Sequence, residues 1–325
     1  MFVFNLQMFA TQTTLLSGLT HEMKTYYSDY LIDNATPELV HDQFGQKQPI
    51  PQNRGKKIEF RKYAPLTKAT TPLTEGVTPA GNKLDVSIVD ATVNQYGDFI
   101  ELSDVLQLTA IDNNLVQATE LLGAQAGVTL DTITRDVLNG GTNVQYGEGK
   151  NYAARSSITS ADVLTVKAVK MAVRALKNQN AKKINGDFVA IIHPDCAYDL
   201  MNDNEWKYPH QYQDTTNLYE GEIGKIAGVR FVETTEAKIW GKAGASSIDV
   251  YSTLVLGANA YGVTEVQGGG LQHIVKQLGS AGTGDPLDQR ATAGWKALKT
   301  AVRLVEQYMV RIETASSFND HQKDN

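Results

Sequence analysis

The sequence predicts an α+β protein organised around one long helix, with an extended hairpin before it and a compact α/β unit after it. Three observations carry that expectation. Leu102, Val105, Ile111, Leu115, Ala118, Leu122, Ala126, Leu130, Ile133 and Val137 recur mostly every three or four positions, the period of one helix face. Ahead of them, two alternating runs flank a loop rich in threonine, proline and glycine. Behind them, from about 158 to 265, short β-branched runs interleave with amphipathic helical stretches.

With 325 residues the chain holds one large domain or two of common size. Its 42% hydrophobic and 20% charged residues are those of an ordinary globular protein, and no run of 18 apolar residues predicts a membrane span. Met1–Leu6 is apolar but lacks the basic region of a signal peptide. A single cysteine, Cys196, rules out an intrachain disulfide and fits a reducing cytoplasm; a small buried residue is its plain reading. A net charge of −6 argues against a dedicated nucleic-acid binder.

The charge is unevenly placed. Arg54, Lys56, Lys57, Arg61, Lys62 and Lys68 meet only Glu59 over 54–68, whereas Glu101, Asp104, Asp112, Glu120, Asp131 and Asp136 meet only Arg135 over 101–138. Two solvated faces that happen to differ would explain this equally well.

Taken in order, residues 1–53 read as an arm. Glu22–Leu31 could form a short helix, but Pro37, Pro49 and Pro51 interrupt any continuous core pattern. A first strand places Ile58, Phe60 and Lys62 opposite Glu59, Arg61 and Tyr63, and a second runs from about Leu84 to Leu102. Ala64–Lys83 forms the tip, and a hairpin this long needs a neighbour to rest on. The helix follows, capped by Ser103, or by Asp112 if it restarts there, and stopped by Asn139-Gly140-Gly141. Some 36 helical residues would span roughly 55 Å. Two consecutive helices broken near Asp112 or Gly127 fit the periodicity as well.

Thr142–Ser157 reads as a connection or small hairpin. Thr159 or Ser160 is expected to cap a helix to about Asn178, followed by a buried strand at Phe188–Ile192 and a helix from Pro194 through Met201. Further strands are expected at Val229–Glu233, Val250–Leu256 and Leu271–Leu278. Ala293–Val305 and Tyr308–Thr314 could pair or form one bent strand.

No catalytic constellation stands out. No histidine pair has helical zinc spacing, and His193-Pro194 reads as a structural turn. Gly221–Lys225 and Gly149-Lys150 fail the phosphate-loop patterns, and Gly268-Gly269-Gly270 precedes a strand. Asp285 and Asp288 could hold a cation weakly, but a capped turn explains them too. No cofactor and no metal is expected.

Several patches, in this order, are specific together. They are Asp33-Asn34-Ala35, Val40–Gln46, Ile58–Lys62, His193-Pro194-Asp195, Gly221–Arg230, Gly279–Gly282, Asp285–Arg290 and Gly294-Trp295-Lys296. They resemble the phage N-four-type coat protein family, and the element order resembles tailed-bacteriophage major capsid proteins of the Hong Kong ninety-seven-type fold. The resemblance implies a structural, non-enzymatic protein. Many copies would assemble as hexamers and pentamers of an icosahedral head, made in the host bacterium, around double-stranded DNA.

It further implies an N-terminal arm (1–53), an E-loop (54–100), a peripheral domain with the spine helix (101–157), an axial domain (158–267) and C-terminal strands returning to the peripheral domain (268–325). Its E-loop would reach over an adjacent subunit, so Arg54, Lys56, Lys57, Arg61, Lys62 and Lys68 are expected near Glu101, Asp104, Asp112, Glu120, Asp131 and Asp136 of a neighbour. Scaffold, portal and decoration proteins are further implied partners; no membrane is. Some capsids of this fold crosslink lysine to asparagine, but no motif around Lys68 or Lys83 supports that here. An encapsulin-like compartment and a cytoplasmic α/β enzyme are the alternative readings.

Overall fold

Fourteen strands and three longer helices make up the part of the chain that the computed structural model describes, residues 40–325 except 64–65, 74, 79–80, 105–113, 207–223, 277–284, 286, 288 and 322. Most of the arm, the Glu22–Leu31 helix, Asp112 and most of the 279–290 loop lie outside those residues.

One sheet is built on β13 (Arg290–Arg303). Along one edge β4 (Asn94–Ser103) pairs antiparallel from Arg290↔Ser103 to Lys299↔Asn94. Along the other, β12 (Gln272–Lys276) and β11 (Tyr261–Glu265) follow one another, and β1 (Gln46–Lys47) adds to β11. The period-two run Ala291, Ala293, Trp295, Ala297 turns one face of β13 inward, three small side chains around one large one. Against it lies α1 (Asn114–Asn139), through Leu122, Ala126 and Leu130. Trp295 also donates from its indole to Gln125 at 3.1 Å, and Gln125 donates to Asp98 at 2.6 Å, tying helix to sheet.

The long helix therefore differs from its expected span. Leu102 and Ser103 close β4, so the described helix has 26 residues, about 39 Å. Leu102 satisfies the helical period only because its strand faces the same core. Gly123 and Gly127 lie inside α1 without breaking it. At the C-terminus the last carbonyls are met by arginines from elsewhere: Arg303 donates to Val137 at 2.7 Å, and Arg311 to Asn139 and Gly141. Both cations sit at the negative end of the helix dipole.

A second sheet of seven strands runs β5 (Val144–Tyr146), β14 (Met309–Thr314), β10 (Val250–Leu256), β6 (Phe188–Ile192), β8 (Val229–Glu233) and β7 (Lys225–Ile226), with β9 (Ile239–Trp240) also on β10. β6, β8 and β10 have the bounds their sequences predict. Phe188, Ala190 and Ile192 pack under α2 (Val166–Asn178) and α3 (Pro194–Asn202), while Ile191 faces Leu138, Leu254 and Tyr261 on the other side. Burial on both faces explains why β6 is apolar throughout. Ala293–Val305 and Tyr308–Thr314 neither pair nor form one strand: β13 stays in the first sheet, and β14 pairs with β10 and β5.

The cap of α2 is Thr165, whose hydroxyl accepts from Ala168, rather than Thr159 or Ser160. Residues 159–162 instead wrap a buried carboxylate. Asp162 accepts from the Thr159 amide and hydroxyl, both at 2.8 Å, from Tyr152 at 3.0 Å, and from Lys150. Burial opposes ionisation of Asp162, yet Lys150 and these donors outweigh it and hold the carboxyl below its ordinary 3.8. Its stabilisation is thus complete above the unfolded value and is lost as pH falls through the lower folded one. Asp162→Asn is expected to cost about 1–3 kcal/mol near neutral pH. The deficit should shrink in urea titrations repeated between pH 5 and pH 3.

Candidate inter-subunit surface

The expected second strand of the hairpin splits at Val93. β3 (Val86–Thr92) pairs with β2 (Lys57–Tyr63) from Lys57↔Thr92 to Tyr63↔Val86, and β4 leaves to join β13. The split has a local cause. Val93 is buried and donates to the Lys56 carbonyl at 2.9 Å, so the chain turns where the hairpin meets the body. Phe60 anchors that root. A Cβ at Gly262 would lie 3.0 Å from the Phe60 ring, so glycine is what lets the hairpin seat on β11.

Beyond Phe60, little among the described residues covers the hairpin. Tyr63, Leu66, Leu73, Val77, Leu84 and Ile88 are each more than half exposed. Exposed large apolar side chains on one extension mark an interaction surface. Ile58, Phe60, Val89 and Ala91 share the root-side face, while Tyr63, Val86 and Ile88 lie on the opposite one.

All six candidate bases, Arg54, Lys56, Lys57, Arg61, Lys62 and Lys68, are exposed on this extension. Lys57 is matched across the strands by Asp90 at 2.5 Å, and that hydrogen bond raises its pKa. Arg61 and Lys62 point to opposite faces of β2.

The six candidate acids do not form one face. Asp131 is fully buried, which corrects its expected place on an exposed surface: the 3.6-residue period that spaces the core also brings this carboxylate inward. Glu120 and Asp136 lie about 160° apart around α1. Asp136 is half exposed, with Arg135 at 3.1 Å, and Glu101 faces Arg290 at 3.8 Å. Asp104, just past β4, donates its amide to the Gln289 carbonyl. Asp112 lies outside the described residues. Glu101 lines a groove of about 540 Å³ on the outer side of the first sheet, with Asp98, Phe99, Ile274 and Asp285 and with the bases Lys276 and Arg290. Phe99 and Ile274 are exposed there.

Two constellations escaped sequence reasoning because their members lie far apart in the chain. His41 donates its amide to Asp131 at 2.8 Å and places Nδ1 2.6 Å from the other carboxylate oxygen. Beside it, Asp42 takes Thr134 at 2.6 Å and the Lys299 ammonium, and Tyr261 donates to the His41 carbonyl. The second brings His193 and Asp195 against His321, 126 residues beyond Asp195. The Val40–Gln46 and His193-Pro194-Asp195 patches were the available signals.

Residues 87–312 match the model of a family described as phage capsid protein. The chain belongs to that family. The capsid asymmetric unit of cyanophage Pam1 has the same fold, with a TM-score of 0.70 over 98% of this chain and 100% of that one at 15% identity. The capsid of Ralstonia phage GP4 gives 0.68 at 13% identity, and that of cyanophage P-SCSP1u 0.64 at 16%, each over 86% of this chain and 89% of theirs. A search of curated proteins gives no match. This phage capsid protein is therefore a major capsid subunit that self-associates into the icosahedral shell of the virion head. Neither the encapsulin-like nor the enzyme reading is favoured. Among the described residues, no helix is long and apolar enough to cross a membrane.

Proposed function

We propose that the β2–β3 hairpin and its tip are the E-loop by which one capsid subunit grips the next. The observation that carries this reading is the run of exposed apolar side chains beyond Phe60. On this reading residues 1–53 are the N-terminal arm, 101–157 hold the spine in a peripheral domain, 158–267 are the axial domain, and 268–325 return. Met309–Thr314 counts with the axial sheet, since it pairs with β10. Arg54, Lys56, Arg61, Lys62 and Lys68 steer the hairpin toward acids of the neighbour, and Lys57 contributes less because Asp90 already holds it. Glu101, Asp104, Glu120 and Asp136 are the acids left to receive them, with Phe99 and Ile274 beside Glu101 supplying apolar contact.

The subunit works without catalysis or cofactor, packs double-stranded DNA by proximity rather than through a dedicated basic surface, and takes scaffold, portal and decoration proteins as further partners. Surface ion pairs contribute about 0–1 kcal/mol each, so their work is register and rejection of wrong pairings. The double reversal Arg61→Glu/Lys62→Glu is expected to lower the yield of closed particles in negative-stain micrographs, most strongly at low salt. Unchanged yield at both low and high salt would overturn the steering role.

A further inference from the structure

His193 follows β6 directly and caps α3, its Nδ1 accepting the Asp195 amide at 3.2 Å. That nitrogen therefore carries a lone pair rather than a proton. Yet Asp195 Oδ2 lies only 3.3 Å from it, so two acceptors face each other with no hydrogen between them. The same Oδ2 receives the Tyr251 hydroxyl at 2.8 Å and lies 3.0 Å from His321 Nε2. The ring of His193 is nearly buried, 5.3 Å from Tyr251 and edge-on to His321 at 5.2 Å. His321 is 39% exposed and leaves one side of the cluster open to water.

We propose that His193, Asp195 and His321 form a three-ligand site for a zinc-class divalent metal, which staples the 316–325 tail onto the α/β unit.

The spacing fits. Metal bonds of about 2.0–2.1 Å to nitrogen and oxygen make tetrahedral edges of about 3.3–3.4 Å. The two edges through Asp195 are 3.3 and 3.0 Å, and the three ligand atoms all lie within 4.8 Å of one another. A cation between Nδ1 and Oδ2 takes both lone pairs and turns their repulsion into binding, in exchange for a long cap hydrogen bond. Two imidazoles with one carboxylate select zinc-like ions over magnesium and calcium, which want oxygen throughout. The Tyr251 hydroxyl orients the carboxylate as an outer partner, and water completes the fourth position.

The tail is brought there by other contacts, so the site is preformed. Ser317 donates to both oxygens of Asp199, Asn319 accepts from the Asp249 amide at 2.8 Å, and Phe318 packs edge-on against Tyr198. The second histidine thus arrives on a polar tail whose position is set independently of it.

The test titrates Co²⁺, then Zn²⁺, into the full-length subunit without a histidine tag at pH 8. One Co²⁺ per chain with the visible absorption of tetrahedral cobalt, displaced by Zn²⁺, is the expected result. His321→Ala should weaken binding at least tenfold and leave the metal-free melting midpoint where it was. Zinc should also slow tryptic cleavage after Lys323 severalfold in the natural chain and not in His321→Ala. Absence of saturable binding, equal affinity in His321→Ala, or cleavage indifferent to zinc would each overturn the site.

Discussion

Lys299→Ala is expected to cost the subunit about 3–5 kcal/mol of folding stability, the cost of stranding a buried charge. Lys299 rises from β13 and is 6% exposed, its ammonium held by the Asp42 carboxylate and by the Leu130 carbonyl at 3.0 Å. Asp42 is itself 8% exposed and, among the described residues, has one further donor, the Thr134 hydroxyl. Without the ammonium that carboxylate stays desolvated, with the Thr134 hydroxyl as its hydrogen-bond donor among the described residues. A charge removed from the hairpin surface, as in Lys62→Ala, should change stability by no more than about 0.5 kcal/mol.

The companion variant Asp42→Asn/Lys299→Met separates lost attraction from a stranded charge. It removes both ions and keeps most of the volume, and should recover most of the deficit. Urea denaturation of unassembled subunits reads the difference. A loss below about 1 kcal/mol in Lys299→Ala would show that water reaches the pair.

The second large effect is on assembly rather than on folding. Replacing residues 64–85 with a two-residue Asn-Gly turn, which suits the Tyr63↔Val86 end of the ladder, should leave a folded subunit that forms no shells. The excised tip carries Leu66, Leu73, Val77 and Leu84, and Leu73 is 76% exposed. Little folding energy resides there. Each such side chain gains about 1.5–3 kcal/mol when fully buried, so a neighbour that covers even part of the tip gains several kcal/mol per contact. A melting midpoint within a few degrees of the natural chain, with only small species in micrographs, is the expected pair of results. Closed particles from the shortened chain would remove the hairpin from the assembly contact.

What the sequence made legible follows what side chains face. β8 and β10 follow from their β-branched and aromatic runs, although Arg230 and Glu233 of β8 are exposed and Ser252 and Thr253 of β10 are polar. β6 was found to the residue because burial on both faces leaves no polar interruption. The core stripe of α1 was legible for the same reason, and Leu102 joined it falsely because a strand ending at the same core obeys no contrary rule. The split at Val93 left no trace, since both halves alternate alike and only the pairing partner changes. Charge counting found the basic hairpin, where every base is exposed. It failed for Asp131, because sign along the chain says nothing of direction, and His41 lies 90 residues away. The cluster of His193 and His321 is illegible for the same geometric reason. Family patches located its first half, but nothing in a polar tail announces the second.

Arg303 at the end of β13 and Arg311 within β14 belong to two different sheets, and both clasp the end of the same helix. That arrangement makes the corner between the sheets a braced joint. Opening it would strip the helix carbonyls of Val137 and Asn139, and that of Gly141 just past them, of their donors at once. An icosahedral shell places one sequence in non-equivalent surroundings, and its curvature must be absorbed by whichever part deforms at least cost. A corner clamped by two arginines resists that deformation, whereas a hairpin anchored mainly by Phe60 swings. Copies in five-fold and six-fold rings should therefore superpose closely at the joint and diverge in the angle of the hairpin.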